Sequence, residues 1–333
     1  MLEVAVVGIG WWGKIIVQTL ADSAKLRVRR AVDPDPAARR WAEERGIAVS
    51  ADLADALADP AVKGVVLATP HSLHTPQIAA AAGAGKHVFC EKPLALCRRD
   101  VEASLRRCNA AGVVLAVGHE RRFEPPMLEL KRLAQGGALG TLLQIEAAFC
   151  QDKFLSLPPD NWRLSAAEAP AGPLTATGIH LLDLAVSLLG PAERVSVGLR
   201  RLGSDLANGD TLGALVTFKS GANLLLSAIL ATPFAGRFAV YGNRGWAELR
   251  DKAHPEAPEG WVLATCRRGA APVAADYPAS SAVRANLEAF ADAAEGRAPY
   301  PVPQAEMIAT IAALEAIVRA AASGKVEPVE AAS

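Results

Sequence analysis

Apolar and polar positions in the first third of the chain fall into alternating blocks. Short apolar blocks at Leu2–Val7, Leu26–Val32, Gly64–Thr69, His87–Cys90 and Val113–Gly118 read as strands. Between them Asp35–Arg45, Thr75–Ala84 and Arg98–Ala110 show helix-like apolar spacing. Repeated strand–helix units of this kind predict a parallel sheet covered by helices on both faces. The rhythm changes at Arg121–Met127. A helix over Met127–Gln135, a strand over Leu142–Cys150, a proline-rich loop and a helix over Gly178–Leu189 come next. Candidate strands then follow at Arg194–Leu202, Leu212–Phe218, Asn223–Ala231, Arg237–Tyr241 and Trp246–Arg250. Strands without intervening helices predict a largely antiparallel sheet. Two alanine-rich helices, Ser281–Glu295 and Gln304–Ala322, close the chain, and the last few residues read as a loose tail. The expected organisation is an α/β protein of two domains, a doubly wound parallel sheet over 1–121 and an α+β domain over 122–333.

The segment after the first strand, "GIGWWG", matches the G-x-G-x-x-G pattern, directly after a strand and opening a helix. Gly8 permits a tight turn, Gly10 lets backbone approach a pyrophosphate, and Gly13 lets helix and strand pack closely. With Ile9, Trp11 and Trp12 these residues are the expected phosphate cradle, its helix N-terminus offering amides to the phosphates. Of the two tryptophans, one packs inward and the other walls the nicotinamide side, or both serve packing. The second strand ends at Asp33, where a carboxylate accepts ribose hydroxyls and repels a 2′-phosphate. NAD is therefore expected over NADP, a preference that Arg39 and Arg40 on the next helix weaken.

Composition narrows the function classes. Hydrophobic residues make up 51% and charged residues 21%, which supports folded cores. Lys plus Arg and Asp plus Glu number 35 each, so no global field attracts nucleic acid or an anionic membrane. Five scattered cysteines without a CxxC pair argue against a zinc site or a disulfide framework, and no metal is expected. A reduced, cytoplasmic setting follows. The N-terminal apolar run lacks a basic leader, carries Glu3 and is broken by glycines, unlike a signal peptide.

Further along lie "ATPHSLHTPQIAAAAGAGKHVFCEKPLA" (residues 68–95), "GHERRFEPP", "NWR" and "TATGIHLLD" (residues 175–183). Together with "GIGWWG" they resemble the Gfo/Idh/MocA oxidoreductases, the glucose-fructose oxidoreductase and inositol dehydrogenase group, over nearly the whole chain. The resemblance implies a Rossmann domain, a C-terminal domain with an open, mostly antiparallel sheet, and a nicotinamide cofactor bound between them. It also implies hydride transfer at a carbon–oxygen bond of a sugar, polyol or related compound. Dimers or tetramers assembled through the C-terminal sheet are implied as well.

On this footing Lys92, at the edge of the sheet, holds a substrate hydroxyl and transfers its proton, and Glu91 orients it or meets the nicotinamide ribose. His180 is the second catalytic group, with Asp183 three residues on to orient its ring. Thr69, Pro70, His71 and His74 border the cofactor. Arg121 or Arg122, with Arg163, binds an anionic substrate or the cofactor; salt bridges are the competing role. Asp152, Lys153, Asp160 and Asn161 lie on loops expected near substrate. One position departs from the family: four residues before His180 the usual aspartate is replaced by Ala176. Thr175 and Thr177 can orient water there but cannot supply a charge. Two alternatives stand beside the dehydrogenase reading. One is a non-catalytic NAD(H)-binding sensor; the other is a family enzyme for dihydrodiol oxidation, double-bond reduction or redox-assisted glycoside cleavage.

Overall fold

The computed structural model describes residues 1–330, which form two compact units. The loose tail expected at the very end falls on 331–333, outside the described residues.

The first unit comprises Met1–Glu120 and Ser281–Met307. Its strands are β1 (Leu2–Val7), β2 (Leu26–Val32), β3 (Ala48–Ser50), β4 (Gly64–Leu67), β5 (His87–Cys90) and β6 (Leu115–Val117). They form one sheet in the order β3-β2-β1-β4-β5-β6, with all neighbours parallel. Helices α1 (Trp11–Leu20), α2 (Pro36–Glu43), α3 (Leu53–Ala58), α4 (His71–Gly83) and α5 (Arg98–Ala110) connect them. The order reverses between β1 and β4, and such switch points place ligands beyond the carboxyl ends of the strands. Register makes this concrete. Val7 pairs with Val32 on one side and Leu67 on the other, and Leu67 pairs with Cys90. Gly8, Asp33, Ala68 and Glu91 therefore leave the sheet along one edge.

A later helix also belongs here, contrary to the expected boundary at 122. Leu287, Phe290 and Ala291 of α8 (Ala282–Ala294) are buried in the same core as Val4, Val6, Ile16 and Phe89. The rings of Phe290 and Phe89 meet edge to face at 5.9 Å. Outside that contact Lys25 pairs with Asp292 at 2.7 Å. The apolar stripe of α8 is local information; the surface that receives it is not.

The second unit runs over Arg121–Ser280 and resumes at Ile308. Helix α6 (Pro125–Gln135), strand β7 (Leu142–Cys150) and helix α7 (Ile179–Leu189) precede β8 (Ala192–Arg200), β9 (Thr211–Phe218), β10 (Asn223–Ile229), β11 (Ala235–Gly242), β12 (Gly245–Asp251), β13 (Trp261–Arg267) and β14 (Val273–Tyr277). The part of helix α9 (Gln304–Ser323) from Ile308 onward and the short β15 (Glu327–Pro328) end it. The nine strands pair in the order β14-β13-β12-β11-β7-β10-β9-β8-β15. Only β7 and β10 are parallel neighbours, so the sheet is mixed and mostly antiparallel. Alternation is visible in β9 and β10, whose even-numbered residues are buried. On the opposite face Leu215 and Leu225 stand directly across from each other and stay exposed, with Glu146 next in the row.

Strands β3, β13, β14 and β15 were not anticipated from the sequence. β3 has three residues, and β14 is an exposed edge strand without a buried alternation. A second surprise precedes α7. Leu174–Gly178 forms a π-turn that runs directly into α7. Such widened turns are frequent at functional sites.

Candidate functional site

The glycine turn of the first unit is shaped for a phosphate group. Gly8 has φ +89°, and a Cβ there would sit 2.6 Å from the Ala68 carbonyl oxygen. A Cβ on Gly13 would collide with the Gly8 carbonyl oxygen, a backbone atom that cannot swing away. Gly10 differs: a Cβ would meet nothing within 4 Å. So two glycines are required by the protein itself, and the third is open outward. Gly10 also caps α1, and neither a capping side chain nor an acidic residue occupies the first turn. Amides at such a helix start suit an anion.

Asp33 closes the turn from the neighbouring strand. Its Oδ2 accepts the Ile9 amide at 2.7 Å and its Oδ1 the Asp35 amide at 2.8 Å. A carboxylate has about four lone-pair sites, so both oxygens retain capacity for ribose hydroxyls. Arg39 donates to the carbonyl oxygens of Asp33 and Pro34 at 2.7 and 2.8 Å. The guanidinium thus braces the loop. Trp12 packs against the core, and Trp11 is 46% exposed. These residues fit a dinucleotide.

Around the next two strands the edge is built by packed polar groups. Thr69 Oγ1 donates to Gln77 Oε1 at 2.6 Å, and His71 and His74 begin α4 with their rings 5.8 Å apart. His74 is fully buried, its Nδ1 2.9 Å from the Pro93 carbonyl and its Nε2 3.0 Å from the Thr69 carbonyl. Its ring therefore ties the loop after β4 to the segment carrying Lys92. That bracing role differs from the cofactor contact expected of it. Glu91 is buried, and its Oε2 accepts the Lys92 amide at 3.2 Å. Gly118 makes room for it, since a Cβ there would lie 2.5 Å from the same oxygen. Lys92 is half-buried, and its peptide bond to Pro93 is cis.

The second unit carries the other predicted residues. His180 is buried in the first turn of α7, with its ring 6.4 Å from that of Phe149. Asp183 was expected to orient that ring. Instead its two oxygens accept a forked pair from Arg122, at 2.6 Å from Nε and 2.7 Å from Nη2, with Thr310 Oγ1 at 3.3 Å. The same pair corrects the reading of Arg122 as a substrate anchor. A guanidinium engaged by a buried carboxylate on two parallel bonds is a structural group. Thr177 is likewise tied down, its hydroxyl within reach of the Phe149 and Pro173 carbonyls at 3.3 and 3.1 Å. Arg163 lies over the Trp162 ring at 4.3 Å, on a loop whose carbonyls are held by Asn208. Lys153 pairs with Glu256 at 2.6 Å.

Arg121 is also internal. It bonds Glu124 through Nε at 3.0 Å and Asp251 through Nη2 at 2.7 Å, and all three side chains are buried. One cation faces two carboxylates, leaving an excess negative charge. Burial pushes Glu124 up to about 7, against the pull of Arg121 and with help from Asp251. The unfolded Glu ionises near 4.5, so the folded state holds an extra proton between about 4.5 and 7. This contribution to stability is complete below pH 4.5 and declines as pH rises through 7. Glu124→Gln should therefore gain thermal stability relative to the parent as pH increases across that window, in melting curves recorded at several pH values.

A neighbouring cluster had no sequence signal. Phe234 and His254 meet Phe149 edge to face at 6.0 and 5.8 Å, and His254 Nε2 lies 2.7 Å from Gln151 Oε1. Burial first, then Lys153, lowers His254 to about 4. The four residues come from β7, the loop after it, the loop before β11 and the loop after β12, so only the folded sheet assembles them. Among the described residues, no group of three or more His, Cys, Asp or Glu side chains is arranged to hold a metal, and no helix is long and apolar enough to cross a membrane.

A family model described as "Oxidoreductase family, NAD-binding Rossmann fold" matches residues 2–119, and one for the GFO/IDH/MocA C-terminal domain matches 127–248. The 1,5-anhydro-D-fructose reductase of Ensifer adhaerens is 30% identical over 87% of both chains. Inositol 2-dehydrogenase 2 of Saccharopolyspora erythraea is 28% identical over 99% of this chain and 96% of its own. Among solved structures, the aldose-aldose oxidoreductase of Caulobacter crescentus superposes with a TM-score of 0.86 at 28% identity, covering 98% of this chain and 99% of its own.

Proposed function

Because the chain belongs to the GFO/IDH/MocA oxidoreductase family, we propose that it transfers hydride between a nicotinamide dinucleotide and a hydroxyl or carbonyl carbon of a sugar, polyol or related small molecule. The observation that carries this reading is the glycine turn, closed by Asp33 and open only at Gly10. The first-turn amides of α1 would hold the pyrophosphate and Asp33 the ribose. Bound NAD supplies the hydride acceptor. Lys92 would hold the reacting hydroxyl and stabilise the alkoxide as hydride leaves, and His180 would take up the proton. The relatives named above act, by their names, on anhydrofructose, inositol and aldoses, which supports a carbohydrate-like substrate. A panel of sugars, polyols and hydroxy acids, followed by NADH absorbance, tests the reading. Turnover of none would contradict it.

NAD is preferred over NADP in this reading, because the carboxylate of Asp33 repels a 2′-phosphate and Arg39 is held by backbone carbonyls. Asp33→Ser should narrow the ratio of NADP to NAD dissociation constants by about tenfold or more, a change of roughly 1.4 kcal/mol. Tighter binding of NADP than NAD by the unaltered protein would contradict the preference. Copies of the chain would associate through the exposed face of the nine-stranded sheet, where Leu215 and Leu225 present apolar surface beside Glu146.

A further inference from the structure

Resting on the reading that His180 serves the reacting hydroxyl, we infer that the substrate carries an apolar group, a deoxy carbon or an alkyl or aryl substituent, that packs against Ala176, Phe154, Leu157 and Leu164. Ala176 stands four residues before His180, in the π-turn that opens into α7. Residues at that spacing share a side of a helix. The flanking Thr175 and Thr177 are buried, whereas Ala176 is partly exposed. Its methyl group packs on a cluster formed by Phe154, Leu206 and Leu230, with Leu157 and Leu164 alongside. Leu157 and Leu164 are themselves only partly buried, on the loop between β7 and the π-turn.

Two polar groups of the surrounding segments are held by backbone carbonyls, although the Asn208 amide oxygen itself accepts no bond. The Thr177 hydroxyl reaches backbone carbonyls, and the Asn208 amide nitrogen donates to the carbonyls of Arg163 and Ala169. A substrate hydroxyl placed against these side chains would exchange water for hydrocarbon and gain no partner. A methyl, methylene or aryl group there would lose only unfavourable hydration. The wall therefore selects among carbohydrate-like compounds by what stands beside the reacting carbon, not by the reacting hydroxyl itself.

Matched pairs test this. Glucose, galactose and mannose are compared with their 6-deoxy, methyl-glycoside and phenyl-glycoside derivatives by kcat/KM with saturating NAD, in the parent protein and in Ala176→Asp and Leu164→Asn. Retained NADH binding and an unchanged melting temperature show that each variant is folded. At least one derivative should exceed its parent sugar by about tenfold or more, the discrimination a single apolar group supports. The ratio should fall toward or below one in at least one variant. Turnover of unsubstituted sugars only, turnover of none, or ratios unchanged in both variants would overturn the inference. Lys92→Met separates this from failure of the underlying reading. A fall in kcat of about 100-fold or more in that variant keeps the catalytic assignment whatever the ratios, and unchanged turnover removes it.

Discussion

Lys92→Met should lower kcat by about 100- to 10,000-fold, the range for removing a group that moves a proton in the transition state, while NADH binds almost as tightly as before. Methionine keeps the length and apolar stem of lysine, so packing between the loops after β4 and β5 survives. The supports of that segment are independent of the ammonium: Glu91 accepts the Lys92 amide, and His74 grips the Pro93 carbonyl. What disappears is the cation proposed to hold a developing alkoxide. Steady-state turnover together with an NADH titration separates the two effects. Unchanged turnover would remove Lys92 from the chemistry, and lost NADH binding would make it a structural residue.

Arg121→Met should destabilise the protein by about 3–5 kcal/mol, the usual consequence of removing one partner from a buried ionic group. The reason is stoichiometric. The side chains of Glu124 and Asp251 are 2% and 1% exposed, and Arg121 is the cation both of them bond. Asp251 retains the Trp261 indole donor at 3.0 Å, a neutral group. Without the guanidinium, at least one carboxyl must take a proton, so the loss should grow as pH rises above 7. Urea unfolding at two pH values measures it. A loss within experimental error at both would mean that solvent reaches the site and solvates the pair.

The parts legible in the sequence are those whose cause is local. The roles of Gly8 and Gly13 depend on backbone contacts within one strand–turn–helix unit and its neighbour, and the motif carries that geometry in its spacing. Strands β1, β2, β5 and β7 match their expected bounds; β1 and β5 are compact apolar blocks, and β2 and β7 interleave apolar with polar residues. Side-chain partners were not legible. Arg122 and Asp183 are 61 positions apart, and Arg121 and Asp251 are 130 apart. Nothing near Asp183 indicates that an arginine rather than His180 engages its carboxylate. The wall around Ala176 draws on Phe154, Leu206 and Leu230, which only the sheet brings together. Helix α8 was recognised as a helix but placed with the wrong unit for the same reason.

Titration of NADH into the parent protein and into Gly10→Ala tests the central claim most directly. A Cβ at residue 10 meets no protein atom and suits the backbone angles there, φ −70° and ψ −168°, so the variant should fold and melt like the parent. It should nevertheless lose at least about tenfold in NADH affinity, roughly 1.4 kcal/mol, because its methyl group would fill the space proposed for the pyrophosphate. Equal affinity in the two proteins, or a parent that retains neither NADH nor NADPH, would contradict the account.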